Sequence, residues 1–212
     1  MFLLERKLRP KKPPKLKEIF LSIKILGGLA KGQALFIPPS ESTRPTSVML
    51  RRKAFDAVQD LSGLHFYDFC AGSAAMGIEA WSRGAESVTL IESSSRAQQI
   101  IKKNLSALKN RYATELEQRP IHLYQGKVEQ WTKISSPKSD CILFFDPPYK
   151  DHTLYKSFKD FIGVCEVDAE VWVESDKLSG VALSFFADWQ APYKVYEHSN
   201  SWLARWKIPF SK

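Results

Sequence analysis

Cysteine is scarce in this chain. Its 212 residues hold three, Cys70, Cys141 and Cys165, with no CxxC pair and no histidine cluster beside them. This excludes a disulfide framework and gives no metal-ligand spacing, so no metal site is expected. Two of the three lie in apolar, strand-like context and read as buried thiols in a reducing compartment. Long hydrophobic runs are also missing. None approaches the ~18 residues of a membrane span. The opening Met1-Phe2-Leu3-Leu4 turns basic at once, without the apolar core of a signal peptide. A cytoplasmic protein with no membrane partner is expected. There are no internal repeats. Acidic residues are outnumbered, with Asp and Glu totalling 23 against 31 Lys and Arg, a formal charge of +8 and a pI near 9.3. That balance favours a polyanionic partner. At 44% hydrophobic and 25% charged, the composition suits one sizeable soluble domain with a short accessory segment.

Residues 1–18 read as a basic arm. Arg6, Lys7, Arg9, Lys11, Lys12, Lys15 and Lys17 alternate with Pro10, Pro13 and Pro14 and offer almost nothing to bury. Such an arm either tracks phosphates or is a solvated tail. Residues 19–62 read as an extension: a β-hairpin from Ile19–Leu26 and Ala34–Ile37 with glycine turns, then a helix over Thr46–Leu61. From His65 onward strands and helices alternate. Strands are expected at His65–Phe69, Ser87–Ile91, Ile121–Tyr124, Cys141–Phe145 and Ala169–Glu174. Helices are expected at Ala74–Ser82 and Arg96–Leu108, around Val128, and at Leu154–Val164. Val181–Phe186, Tyr193–Glu197 and Trp202–Ile208 read as closing strands. This alternation implies an α/β fold, a mostly parallel sheet with helices on both faces, occupying residues 63–212.

Four residues are the most informative. Asp146-Pro147-Pro148-Tyr149 follows the apolar run Cys141-Ile142-Leu143-Phe144-Phe145. Two prolines end the strand, remove two backbone donors and fix φ, which leaves carbonyls and the Asp146 carboxylate as acceptors beside an aromatic ring. An exocyclic amino group on a planar base needs acceptors for its N–H bonds and a face to stack on. A second feature is Asp68-Phe69-Cys70-Ala71-Gly72-Ser73-Ala74-Ala75-Met76-Gly77, where the first strand of the alternating region meets its helix. In doubly wound sheets a nucleoside cofactor sits outside this junction. Gly72 permits close approach and Gly77 tight helix packing. Glu92 closes the next strand at the distance from which an acid reaches ribose hydroxyls, although a solvated strand-end charge is the alternative. A dinucleotide-dependent dehydrogenase explains the loop and Glu92 but not the proline turn. S-adenosyl-L-methionine explains all three, since the methyl donor must lie beside the amino group it alkylates.

The tetrapeptide and loop together resemble the amino-directed, S-adenosylmethionine-dependent methyltransferases. The chain resembles most closely the RsmD-type family, which methylates a guanine amino group in small-subunit ribosomal RNA. Ile25-Leu26-Gly27-Gly28 with Lys31-Gly32, then Arg44-Pro45-Thr46 with Arg51 and Phe55, is similar to the family's opening. Asp68 to Gly77, Glu79-Ala80, Ser82-Arg83-Gly84-Ala85, Val88 to Glu92 and Asn104-Leu105 continue the likeness, which covers roughly residues 22–175. The chain departs from the family's pattern at Val48, Met49 and Arg52, at Ala74 in place of a third glycine, and at Gly126-Lys127 where an acid commonly holds the adenine.

The resemblance implies a Rossmann-like methyltransferase fold with a seven-stranded sheet, and a monomer acting on ribosomal RNA or an assembling small subunit. Asp68, Ala71, Gly72, Ser73, Gly77, Glu92, Lys127 and Asp146 would line the cofactor. Asp146 and the Pro147 carbonyl would hold the amino group, Tyr149 would stack on the base, and Lys31, Arg44, Arg51 and Arg52 would meet RNA. Arg51 and Arg52 are otherwise the solvated face of a helix. Trp202 and Trp206 alternate with polar residues and suit core packing better than base stacking. Other readings remain open: amino methylation of DNA adenine or of a glutamine side chain, and an RNA-binding paralogue without catalysis.

Overall fold

The computed structural model of the chain describes residues 21–38 and 45–208. The basic arm, Arg44 and the last four residues lie outside the described residues. Strands β1 (Leu21–Lys24) and β2 (Ala34–Ile37) form an antiparallel hairpin, and α1 (Pro45–Asp56) follows. The larger sheet then builds from β3 (His65–Phe69), α2 (Ala75–Ser82), β4 (Ser87–Glu92), α3 (Ser95–Lys109), α4 (Ala113–Gln118), β5 (Ile121–Gln125), α5 (Val128–Ile134), β6 (Cys141–Phe145), α6 (His152–Gly163), β7 (Ala169–Asp176), β8 (Lys194–His198) and β9 (Ser201–Ile208). Its order is β5-β4-β3-β6-β7-β9-β8, parallel from β5 to β7, with β9 running antiparallel beside β7. The expected mostly parallel seven-stranded sheet is present.

Side-chain alternation along each strand divides the interior in two. Phe66, Leu90, Phe144 and Trp172 point to the face covered by α1, α2 and α3, where Leu50, Phe55, Ile78, Trp81 and Ile101 pack. Ile25, Ala30 and Leu35 of the hairpin segment belong to the same cluster. Phe69, Ile91, Phe145 and Val173 point to the other face, against Val128 and Trp131 of α5 and Leu154, Tyr155 and Phe158 of α6. The central strand β6 is buried along its whole length, which is why it reads as an unbroken apolar run. Trp202 and Trp206 are core residues, 2% and 1% exposed.

A buried polar network fastens the hairpin to α2. Glu79, with no exposed surface, accepts hydrogen bonds from Leu26 N (2.7 Å), Gly27 N (2.9 Å) and Arg83 Nε (2.8 Å). Arg83 Nη1 donates to Phe55 O of α1. Gly28 lets the hairpin loop lie directly on the end of α2: its φ is +72°, and a Cβ there would stand 1.9 Å from the Ser82 carbonyl oxygen.

Three elements differ from expectation. Helix α1 ends at Asp56 and does not reach Leu61, whose amide donates to Arg83 O instead. Val181–Phe186 is not a strand; it leads into a 3-10 turn at Leu183–Phe186. The edge of β7 is already taken by β9, so this apolar run has no ladder to join. Phe186 instead packs on Trp189 and Trp206, with ring centroids 4.8 and 5.4 Å away. Helix α4 was not anticipated. It buries no residue and therefore carries no apolar stripe to read.

Candidate active site

The loop after β3 is bent by three residues in the left-handed region: Cys70 (φ 67°), Gly72 (φ 56°) and Ala74 (φ 63°). Gly72 adopts this without penalty. Ala74, at the family's third glycine position, does so at a cost of roughly 1–2 kcal/mol. The bend carries the amides of Cys70 and Ala71 onto Ile91 O, both at 3.0 Å, so the loop folds toward the end of β4.

There Glu92 meets it. Its Oε2 accepts from Gly72 N (2.8 Å) and its Oε1 from Ser94 N (2.7 Å). This carboxylate, 7% exposed, braces the loop and the turn into α3 together. Each oxygen keeps a further lone pair for a ligand hydroxyl.

Asp68 lies beneath the loop, 1% exposed, with Oδ2 accepting from Gly77 N at 2.9 Å. Burial pushes its carboxyl up to about 7; the Gly77 N–H opposes this, and the Asp146 and Glu92 charges add to it. Such an acid, folded, keeps a proton that the unfolded chain has released above its ordinary 3.8. Its contribution to stability therefore declines as pH rises through the window from ~4 to ~7. Asp68→Asn, whose amide oxygen can still accept from Gly77, should flatten that decline. Urea midpoints of both proteins across this range measure it, and parallel curves would refute it.

Gly77 is not on the cleft wall. It sits within α2, where a Cβ would come within 2.4 Å of Leu90 Cδ2. Its contribution is the close packing of helix on sheet that its place in the sequence suggests, and it supports the loop from behind.

Asp146 leaves the end of β6 next to this loop, its amide 3.4 Å from Phe69 O. Pro147 is buried, Pro148 exposed, and Asp146 and Tyr149 are half-buried. The Tyr149 hydroxyl donates to Glu174 Oε1 at 3.2 Å. Burial raises the Tyr149 phenol well above its ordinary value, and the Asp146 and Glu174 charges raise it further.

One cleft of about 640 Å³ gathers these parts. Asp68, Ala71, Gly72, Ser73 and Glu92 form one wall, and Asp146, Pro147 and Tyr149 the other. Lys127 stands at the rim, exposed, its amide donating to Gln130 Oε1. Arg51 lines the same cleft but is enclosed, so it is not the solvated helix-face charge given as the alternative. It is 4% exposed, donates through Nη2 to Lys24 O, and its Nε and Nη1 have no partner among the described residues. Burial lowers its pKa, nearby Glu79 opposes that, and Arg83 adds to it. Lys31 and Arg52 are exposed and lie outside the cleft wall.

Among the charged residues of the cleft, Arg96, Glu129, Asp151 and Glu174 lie outside the expected site. Glu174 carried a legible signal, an acid toward the carboxyl end of a parallel strand. Arg96 and Glu129 lie in first turns of helices, where polar residues are ordinary.

The family described as conserved hypothetical protein 95 matches residues 23–190. The ribosomal RNA small subunit methyltransferase D of Escherichia coli is 29% identical over 187 residues, covering 82% of this chain and 89% of that protein. The protein of the same name from Buchnera aphidicola is 27% identical over 193 residues, covering 90% and 88%. Among solved structures, yhhF from Escherichia coli superposes with a TM-score of 0.70 at 22% identity, covering 90% of this chain and 99% of that one. An RNA methyltransferase from Salinibacter ruber, in complex with S-adenosyl-L-homocysteine, gives 0.52 at 17% identity, covering 81% and 95%. With a Rossmann-like methyltransferase fold and a family match across most of its length, the chain belongs to the RsmD-type methyltransferase family.

Proposed function

We propose that this protein transfers a methyl group from S-adenosylmethionine to the exocyclic amino group of a guanine in small-subunit ribosomal RNA. The observation that carries the reading is the shared cleft: the Gly72–Glu92 wall and the Asp146–Tyr149 wall face one space. Its volume is within the 300–1,000 Å³ range ordinary for small-molecule sites. The residues present fit the cofactor. Gly72 admits a ligand close to the backbone, and Glu92 retains lone pairs for ribose hydroxyls after taking its two amides. The names of the relatives supply the ribosomal RNA part of the reading.

When bound, the cofactor supplies an electrophilic sulfonium methyl. The guanine amino nitrogen is a poor nucleophile because its lone pair is delocalised into the ring. The Asp146 carboxylate and the Pro147 carbonyl accept its N–H bonds, favour a tetrahedral nitrogen and stabilise the positive charge that develops there. Orientation inside the cleft supplies much of the remaining acceleration. Tyr149 offers a ring to the base once it leaves its helix. Asp146 is placed to receive the amino proton. Exposed Lys31, Arg52 and Lys127, with the residue 1–17 arm, provide the charge for phosphates. A monomer working on assembling subunits in the cytoplasm completes the reading.

Methyl-labelled cofactor and small-subunit RNA, followed by digestion to nucleosides, test it. Label in N2-methylguanosine is the expected result; label on adenosine, or none, overturns the reading. Glu92→Ala should weaken cofactor binding by roughly 1.5–3 kcal/mol, the scale of a hydrogen bond to a charged acceptor. An unchanged dissociation constant in a folded variant would leave Glu92 as a loop brace only.

A further inference from the structure

Glu174 has no part in the reaction as described, yet it is a carboxylate at the heart of the substrate wall. Strands β6 and β7 pair in parallel with Phe145 opposite Val173. Asp146 is the first residue past β6 and Glu174 the next residue along β7, which continues to Asp176, so the two stand level on neighbouring segments of chain. Both line the cleft. Glu174 is 4% exposed, and the Tyr149 hydroxyl, 3.2 Å from Oε1, fixes its carboxylate.

An acceptor for an amino group does not by itself choose a base, since adenine, cytosine and guanine all carry one. The ring nitrogen beside the amino group distinguishes them. In guanine N1 carries a hydrogen and donates; the corresponding nitrogens of adenine and cytosine are acceptors. A buried carboxylate next to the amino-group site attracts the first and repels the others. We propose that Glu174 is the specificity-determining residue of this site: its carboxylate accepts the guanine N1–H while Asp146 and Pro147 hold the amino group.

This rests on the guanine-N2 reading, and the test separates the two. The probe is 2-aminopurine, which keeps the C2 amino group but presents N1 as a bare acceptor. It is placed by ligation at the methylated guanine position of the RNA. Wild-type protein should methylate guanine at least ~100-fold faster than 2-aminopurine, since a site built around a hydrogen bond rejects the analogue that cannot make it. In Glu174→Gln the carboxamide can turn either its oxygen or its NH2 toward N1. The preference should then shrink to within about 10-fold. A purely structural role for Glu174 would lower both rates and leave their ratio alone.

An unchanged ratio in Glu174→Gln, or a wild-type ratio near one, overturns the proposal while N2 methylation of guanine stands. Absence of any methylated guanine with wild-type protein overturns both. Should Glu174→Gln fail to fold, Tyr149→Phe removes the hydroxyl that fixes the carboxylate and should narrow the ratio. No narrowing there counts equally against the proposal.

Discussion

Asp146→Ala should slow methyl transfer at least ~100-fold in a single turnover, the scale of losing one preorganised electrostatic group aimed at developing charge. Cofactor affinity should change little, because the ribose side of the cleft is braced by Glu92 through Gly72 and Ser94. A second consequence separates this from simple damage. The Asp146 charge is one of the causes that raise the Asp68 carboxyl, so the variant should bring Asp68 closer to its ordinary value. The pH dependence of stability between ~4 and ~7 should weaken with it. Rapid mixing of labelled cofactor with RNA gives the rate. Near-normal transfer by a folded variant would remove Asp146 from the chemistry.

Glu79→Ala should destabilise the fold by about 3–5 kcal/mol, the cost of breaking a buried ion pair by removing one partner. Three donors lose their acceptor at once: the amides of Leu26 and Gly27, and Arg83 Nε. Arg51, already buried with two nitrogens that have no partner among the described residues, loses the anion that favours its charged form. Against a total stability of roughly 5–15 kcal/mol, that loss is large. The pair Lys156–Asp160 on α6 is the control, since both side chains are mostly exposed, 75% and 66%. Breaking it should cost about 0–1 kcal/mol. Denaturant midpoints of both variants decide the matter, and equal small effects would mean the hairpin is not held through Glu79.

What the sequence made legible was whatever depends on short-range pattern. The run Cys141–Phe145 ended by two prolines gave β6 and its turn residue for residue, because apolarity and lost backbone donors act locally. The glycine loop and Glu92 were legible from spacing, since a parallel β-α-β unit fixes the distance between successive strand ends. The misses share a different cause. Arg51 looks like a helix-face charge until the chain is folded and the side chain is enclosed, donating to Lys24 O with the Glu79 charge nearby. Nothing within its own helix reports that. Glu174 follows Val171-Trp172-Val173 as an acid toward a strand's carboxyl end, a signal legible in itself, but only the β6–β7 register brings it level with Asp146. Val181–Phe186 shows the limit of an apolar run: Val181 and Phe186 are buried, but which backbone partner remains is decided by β9, some twenty residues later.

The most direct test of the shared cleft is a crystal structure of the protein with S-adenosylmethionine or S-adenosyl-L-homocysteine bound. The ribose should lie on the Glu92 carboxylate, the ligand should pass over the Gly72 backbone, and the sulfur should point toward Asp146 and the Pro147 carbonyl. A ligand seated elsewhere, or one whose sulfur points away from the Asp146–Tyr149 wall, would contradict it.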